Sequence, residues 1–204
     1  QRWTNRRFRA LVRHSGPTSL IFRRRVALIG GAVIVGLVAL IFAWAADGAG
    51  HLFENMVARY PYAPFVITPL GFALIVWITR RFAPLAAGSG IPQVIAASRG
   101  TSADHRRLVD MPTALLKSVL TTGALLVGAS VGREGPTVQI SAALLGWTHR
   151  ILQVPMRVTV MIAGGAAGVA SAFYTPLAGI TFAIEELAAA YELRMAMLVI
   201  TAVI

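Results

Sequence analysis

From Val26 to Ala46 the chain runs for 21 consecutive residues without a charged side chain. At about 1.5 Å per residue a helix of that length covers the roughly 30 Å hydrocarbon core of a bilayer. The stretch is longer than the apolar region of a cleaved leader, and the basic segment before it is too long for one. It therefore predicts a transmembrane helix. The composition agrees: 56% of the 204 residues are hydrophobic and 13% charged, against roughly 25% charged in soluble domains. A disordered or solvating chain is excluded. Nineteen glycines and ten prolines are spread through apolar segments, where a packed membrane bundle accepts them.

The formal net charge is +11, which in a soluble chain would suggest nucleic acid. Its distribution argues otherwise. Arg2, Arg6, Arg7, Arg9, Arg13, Arg23, Arg24 and Arg25 all fall in the first 25 residues, a juxtamembrane cluster that favours the cytoplasmic side and anionic lipid. Residues 1–25 are thus expected to be a basic cytoplasmic segment forming an interfacial helix, with no nucleic-acid partner. Asp47 to Tyr60, with Asp47, Glu54 and Arg59, reads as a loop on the opposite side. The absence of cysteine excludes disulfides, a thiolate nucleophile and cysteine metal sites. His14, His51, His105 and His149 are expected in loops or termini, and neither His-Glu-x-x-His nor Gly-x-Ser-x-Gly occurs. These absences argue against a membrane hydrolase, and no metal or cofactor is expected. The chain begins at Gln1 and stops at Ile204 within a short apolar run, which reads as a piece of a longer protein.

A second span is predicted from Tyr62 to Thr79, returning to the basic side at Arg80 and Arg81. Leu85 to Ser98 is too short to cross and suggests a re-entrant half-helix. Met111 to Val131 is apolar apart from Lys117, and Thr137 to Trp147 reads as another short helix. Val158 to Ile184 holds 27 uncharged residues, which Pro176 splits in two because the residue before a proline avoids the helical region. Within them, the glycines and alanines of Ala163 to Ala172 let helices approach closely. The expected fold is an all-α membrane protein, a bundle of tilted, discontinuous transmembrane and re-entrant helices without a second soluble domain.

Three breaks share one design, a small or polar turn followed by a proline and a short apolar helix. They are Gly88-Ser89-Gly90-Ile91-Pro92, Gly132-Arg133-Glu134-Gly135-Pro136 and Tyr174-Thr175-Pro176. Proline suits the first helical turn, where its missing N–H would have no partner. Helix starts that converge at bilayer depth offer free N–H groups and partial positive charge to an anion, and discontinuous helices mark transporter sites. Plain kinks are the alternative. The candidate anion site comprises Gly88, Ser89, Gly90, Ile91, Arg133 and Gly135. Ser89 can donate its hydroxyl to an anion or serve as an N-cap. Glu134, a carboxylate at membrane depth, can occupy the anion site when ionised and leave it when protonated, which links proton and anion binding. An ion pair with Arg133 or a structural cap is its other reading. Lys117 either snorkels, pairs with an acid, or adds positive charge to the anion path. Glu185 and Glu186 point to different faces, so at most one lines a pathway.

These three segments, with Ala172 to Gly179 and Ile184-Glu185-Glu186, resemble signature segments of the CLC family of voltage-gated chloride channels and chloride/proton antiporters. The likeness runs from Val26 to Ile204, the first half of that family's membrane domain. It implies a homodimer with one pore per subunit, each subunit built from two inverted halves, in a bacterial inner membrane with a cytoplasmic N-terminus. It further implies that Ser89 coordinates the transported chloride, that Glu134 is the external gate and proton carrier, and that Glu186 is the internal proton-transfer residue of antiporters. Lys117 looks like the family's lysine in the corresponding helix. Gln93 stands where an acid is common, and Tyr174-Thr175 replaces the usual Asn-Ala pair. The expected function is chloride/proton antiport, with a passive chloride channel as the alternative, and Glu186 favours exchange.

Overall fold

A computed structural model describes residues 17–100, 107–155, 157–187 and 193–204. Most of the expected interfacial helix (residues 1–16), His14, His105 and Glu192 lie outside the described residues. Among those described, the fold is helical throughout and confirms the all-α bundle of broken helices.

Helix α1 spans Pro17–Arg59. Its 43 residues amount to about 64 Å at about 1.5 Å each, twice the thickness of a hydrocarbon core. The loop expected from Asp47 to Tyr60 is therefore the last turns of this helix. Charges mark where a helix leaves the apolar layer, whereas its end needs a backbone reason, and here that comes only with Pro61 and Pro64. His51 consequently lies on a helix. Helix α2, Pro64–Phe82, begins on a proline and tolerates Pro69 inside. Beyond it, Pro84 opens a 3₁₀ turn, Pro84–Ala86, and an irregular turn leads into the nine-residue α3, Ile91–Arg99. The short element predicted between residues 85 and 98 is thus a turn followed by a helix too short to cross.

Helix α4, Met111–Leu126, is capped by Asp110, whose carboxylate accepts from the Met111 N–H at 2.9 Å. Helix α5, Glu134–Ile151, is longer than the expected Thr137 to Trp147. Pro136 does not delay its start, because a proline in the first turn sits where N–H groups lack intrahelical partners. His149 is in its last turn and 3% exposed, not in a loop. Helix α6, Val158–Phe173, ends at Tyr174 in the left-handed conformation (φ 55°). Helix α7, Pro176–Phe182, then starts as Pro176 predicts and passes into a π-helical turn, Ala183–Leu187. Helix α8, Leu193–Val203, packs on α6 and α1.

The core is the crossing of α5 and α6, with α1, α3 and α8 around it. Gly164 and Gly168, four residues apart on one face of α6, meet the backbone of α5. A Cβ on Gly164 would lie 2.8 Å from Ala142 Cα, and one on Gly168 would lie 2.8 Å from Val138 Cα. Transmembrane helices gain little from apolar burial against each other, so close packing of this kind decides which faces associate.

Candidate functional site

The first two breaks meet. Gly88 and Gly90 have φ of 81° and 111°, a conformation that glycine adopts without strain. Gly90 is the N-cap of α3, which puts Ser89 one residue ahead of the cap rather than at it. A Cβ on Gly90 would lie 2.5 Å from the Gly135 carbonyl oxygen, and one on Gly135 would lie 2.5 Å from that of Ser89. Glycine is thus required on both sides for the two turns to touch.

Lys117 binds this turn from α4. Its side chain is 3% exposed, and Nζ donates to the carbonyl of Ala86 at 2.7 Å and to that of Gly88. The Gln93 amide donates to the intervening Ala87 carbonyl. The lysine therefore neither snorkels nor pairs with an acid. Its ammonium charge offsets the carbonyl dipoles of the turn that carries Ser89.

Glu134 is the first residue of α5 rather than the residue before it, so its carboxylate belongs to the helix start, where negative charge is stabilised. No ion pair with Arg133 forms. Arg133 instead donates to Asp47 Oδ1 at 2.6 Å and to the Ala43 carbonyl at 3.3 Å, both on α1. Tyr174 of the third break and Glu134 itself lie within electrostatic reach of Arg133. Among the described residues the Glu134 carboxylate has neither a hydrogen-bond partner nor an ion pair.

Glu134 stands between two cavities. One, of about 780 Å³, is lined by Gly88, Ser89, Ile91, Lys117 and Gly135; the other, of about 330 Å³, by Asp47, His51, Glu54, Gly132 and Arg133. The structure thus brings Gly88, Ser89, Ile91, Lys117, Glu134 and Gly135 around one space, with Gly90 supporting the turn from behind. It does not bring in Glu186, which is exposed with Glu185 on the π-helical turn and lines neither cavity. Two residues escaped the sequence reading. Thr121 lines the large cavity one helical turn after Lys117, which the four-residue spacing could have revealed. Asp47 anchors Arg133, and its only signal was being the first charge after the long apolar run.

An assembly of broken apolar helices, two of them long and apolar enough to cross a membrane, closed over a cavity by paired glycine turns, is the architecture of an integral membrane transport protein. Residues 71–204 match the family model described as voltage gated chloride channel, and the chain belongs to that family. The H(+)/Cl(-) exchange transporters ClcA of Salmonella schwarzengrund and Salmonella typhimurium are each 32% identical over 189 residues, 88% of this chain and 38% of theirs. The chain superposes on a slow cyanobacterial Cl-/H+ antiporter with a TM-score of 0.77 at 25% identity, covering 89% of this chain and 44% of that one. On a eukaryotic CLC transporter the TM-score is 0.76 at 22% identity, with 90% and 36% covered. The chain therefore spans less than half the length of these relatives.

Proposed function

We propose that these residues form the first half of a pore that exchanges chloride for protons, with residues 1–25 on the cytoplasmic side of a bacterial inner membrane and two copies of the full protein forming a dimer. The observation that carries this reading is Glu134, a carboxylate without an ion pair at a helix start, set between two cavities and beside the Ser89 turn. Ionised, it takes the place an anion would occupy. Protonated, it loses its attraction to the helix start, and chloride enters. Because each ligand changes the affinity of the other, proton and chloride binding are coupled in both directions. Ser89 supplies a hydroxyl, Gly135 and Ile91 supply helix-start N–H groups, and Lys117 supplies the compensating positive charge. Glu186 serves as the second proton station, towards the opposite side. The relatives named as H(+)/Cl(-) exchange transporters support the same reading.

A passive chloride channel on this fold is the second reading, and the position of Glu186 away from both cavities favours it. The test is the full-length protein in liposomes under a chloride gradient, with chloride and pH followed together. Antiport predicts uphill proton movement that Glu134→Ala or Glu186→Ala abolishes while chloride still flows. A flat pH trace with flowing chloride in the unmodified protein selects the channel.

A further inference from the structure

The smaller cavity is lined by His51 as well as by Glu134. Asp47, His51 and Glu54 follow one another at spacings of four and three residues, so they share one face of α1, and all three line the cavity that Glu134 also lines. Its ionisable groups are Asp47, His51 and Glu54 from α1, and Arg133 and Glu134 from the start of α5. The residues it takes from elsewhere, Leu125, Val131 and Gly132, carry no charge. Asp47 is committed to Arg133 at 2.6 Å. His51 Nδ1 lies 3.3 Å from Glu54 Oε2, and among the described residues the Glu134 carboxylate accepts no hydrogen bond.

We propose that His51 is the proton-loading residue for Glu134, relaying protons between bulk water and the gate through the smaller cavity. This rests on Glu134 being the gate. Imidazole is the side chain whose charge changes between about pH 5 and 8. With Nδ1–H donated to Glu54, the neutral ring keeps Nε2 as its basic nitrogen, so Glu54 selects the tautomer. Nε2 takes a proton from bulk water, the imidazolium passes it through cavity water to the Glu134 carboxylate, and the ring returns to neutral with Glu134 protonated. The Asp47–Arg133 pair holds the face of α1 that carries His51 against the start of α5.

The experiment uses the full-length protein in liposomes, measuring chloride-driven proton transport as pH is varied on the His51 side for the unmodified protein, His51→Ala and His51→Lys. His51 is exposed, so both variants are expected to fold, which gel filtration checks. The inference expects a step in the unmodified profile between about pH 5 and 8 and its loss in both variants. Chloride flux measured in a Glu134→Ala background should be unchanged by adding His51→Ala. A step that persists in His51→Ala assigns the titration elsewhere and overturns the inference. A step that His51→Lys retains, a fixed positive charge at these pH values, reduces His51 to an electrostatic role and overturns the relay. If Glu134→Ala alone leaves proton coupling intact, the gate reading itself falls. That outcome is distinct from a failure confined to His51.

Discussion

Helices α2 and α6 are both predominantly apolar, yet none of the side chains of α2 is buried, while every residue of α6 from Val160 to Ala170 is. The difference lies in side-chain size. Helix α6 carries Gly164, Gly165 and Gly168 with the alanines between them, so the backbone of α5 reaches its surface. Helix α2 carries phenylalanines, leucines and Trp77, and approaches the bundle at Gly71, where Val127 occupies the space a side chain would need. In water both helices would be driven into a core. Within lipid, apolar surface alone gives no preference between a neighbouring helix and an acyl chain, so small residues select the buried helix.

The strongest way to break this contrast is to give α6 a side chain at its crossing with α5. In Gly164→Val the new Cβ would meet Ala142 Cα at 2.8 Å and the Ser141 carbonyl oxygen at 3.0 Å. Both are backbone atoms that cannot rotate away. Overpacking of this kind is expected to destabilise by about 3 kcal/mol, the upper part of its usual range, read as a lowered thermal unfolding midpoint in detergent. An unchanged midpoint would mean that the α5–α6 crossing does not hold the bundle.

A smaller effect is expected where the packing is polar. Lys117→Met keeps the length and the apolar stem of the side chain but removes the donor shared by the Ala86 and Gly88 carbonyls. Leaving buried acceptors unpaired costs about 1–3 kcal/mol. Chloride affinity should fall along with stability if the proposed site holds, because the freed carbonyls belong to the turn that carries Ser89. Isothermal titration with chloride separates the two effects. A loss of stability with unaltered affinity would make Lys117 a strut of the turn and nothing more.

These residues also show what a sequence discloses. The helix breaks were legible because proline acts locally, and Pro84, Pro92, Pro136 and Pro176 all lie at or near element starts. The small-residue face of α6 was legible for the same reason. The extent of α1 was not, because Asp47 and Glu54 signal departure from the apolar layer while leaving the helix intact. The meeting of the first two breaks was suggested by their shared design, but the reason for it was hidden. Lys117 binds carbonyls 31 and 29 residues earlier in the chain, and Gly90 touches Gly135. An ion pair of Arg133 with its neighbour Glu134 was the alternative reading, yet Arg133 reaches back 86 residues to Asp47. Adjacent side chains on a helix start diverge, and only the fold supplies the alternative.

The smallest effect belongs to α2 and sharpens the comparison most directly. Leu70 on α2 is 66% exposed, whereas Leu145 on α5 is fully buried. Truncating Leu145 to alanine should destabilise by about 2–5 kcal/mol, through lost contacts and the cavity left behind. The same truncation at Leu70 should change stability by about 0.5 kcal/mol or less, as at exposed positions generally. Chemical identity is held constant, so the ratio of the two measures burial alone. Unfolding of the full-length protein with each single variant, followed by tryptophan fluorescence, gives that ratio. A Leu70→Ala loss approaching that of Leu145→Ala would show that the outer face of α2 is covered in the complete protein, because lipid chains refill the space left by a truncated side chain and a packed protein surface does not.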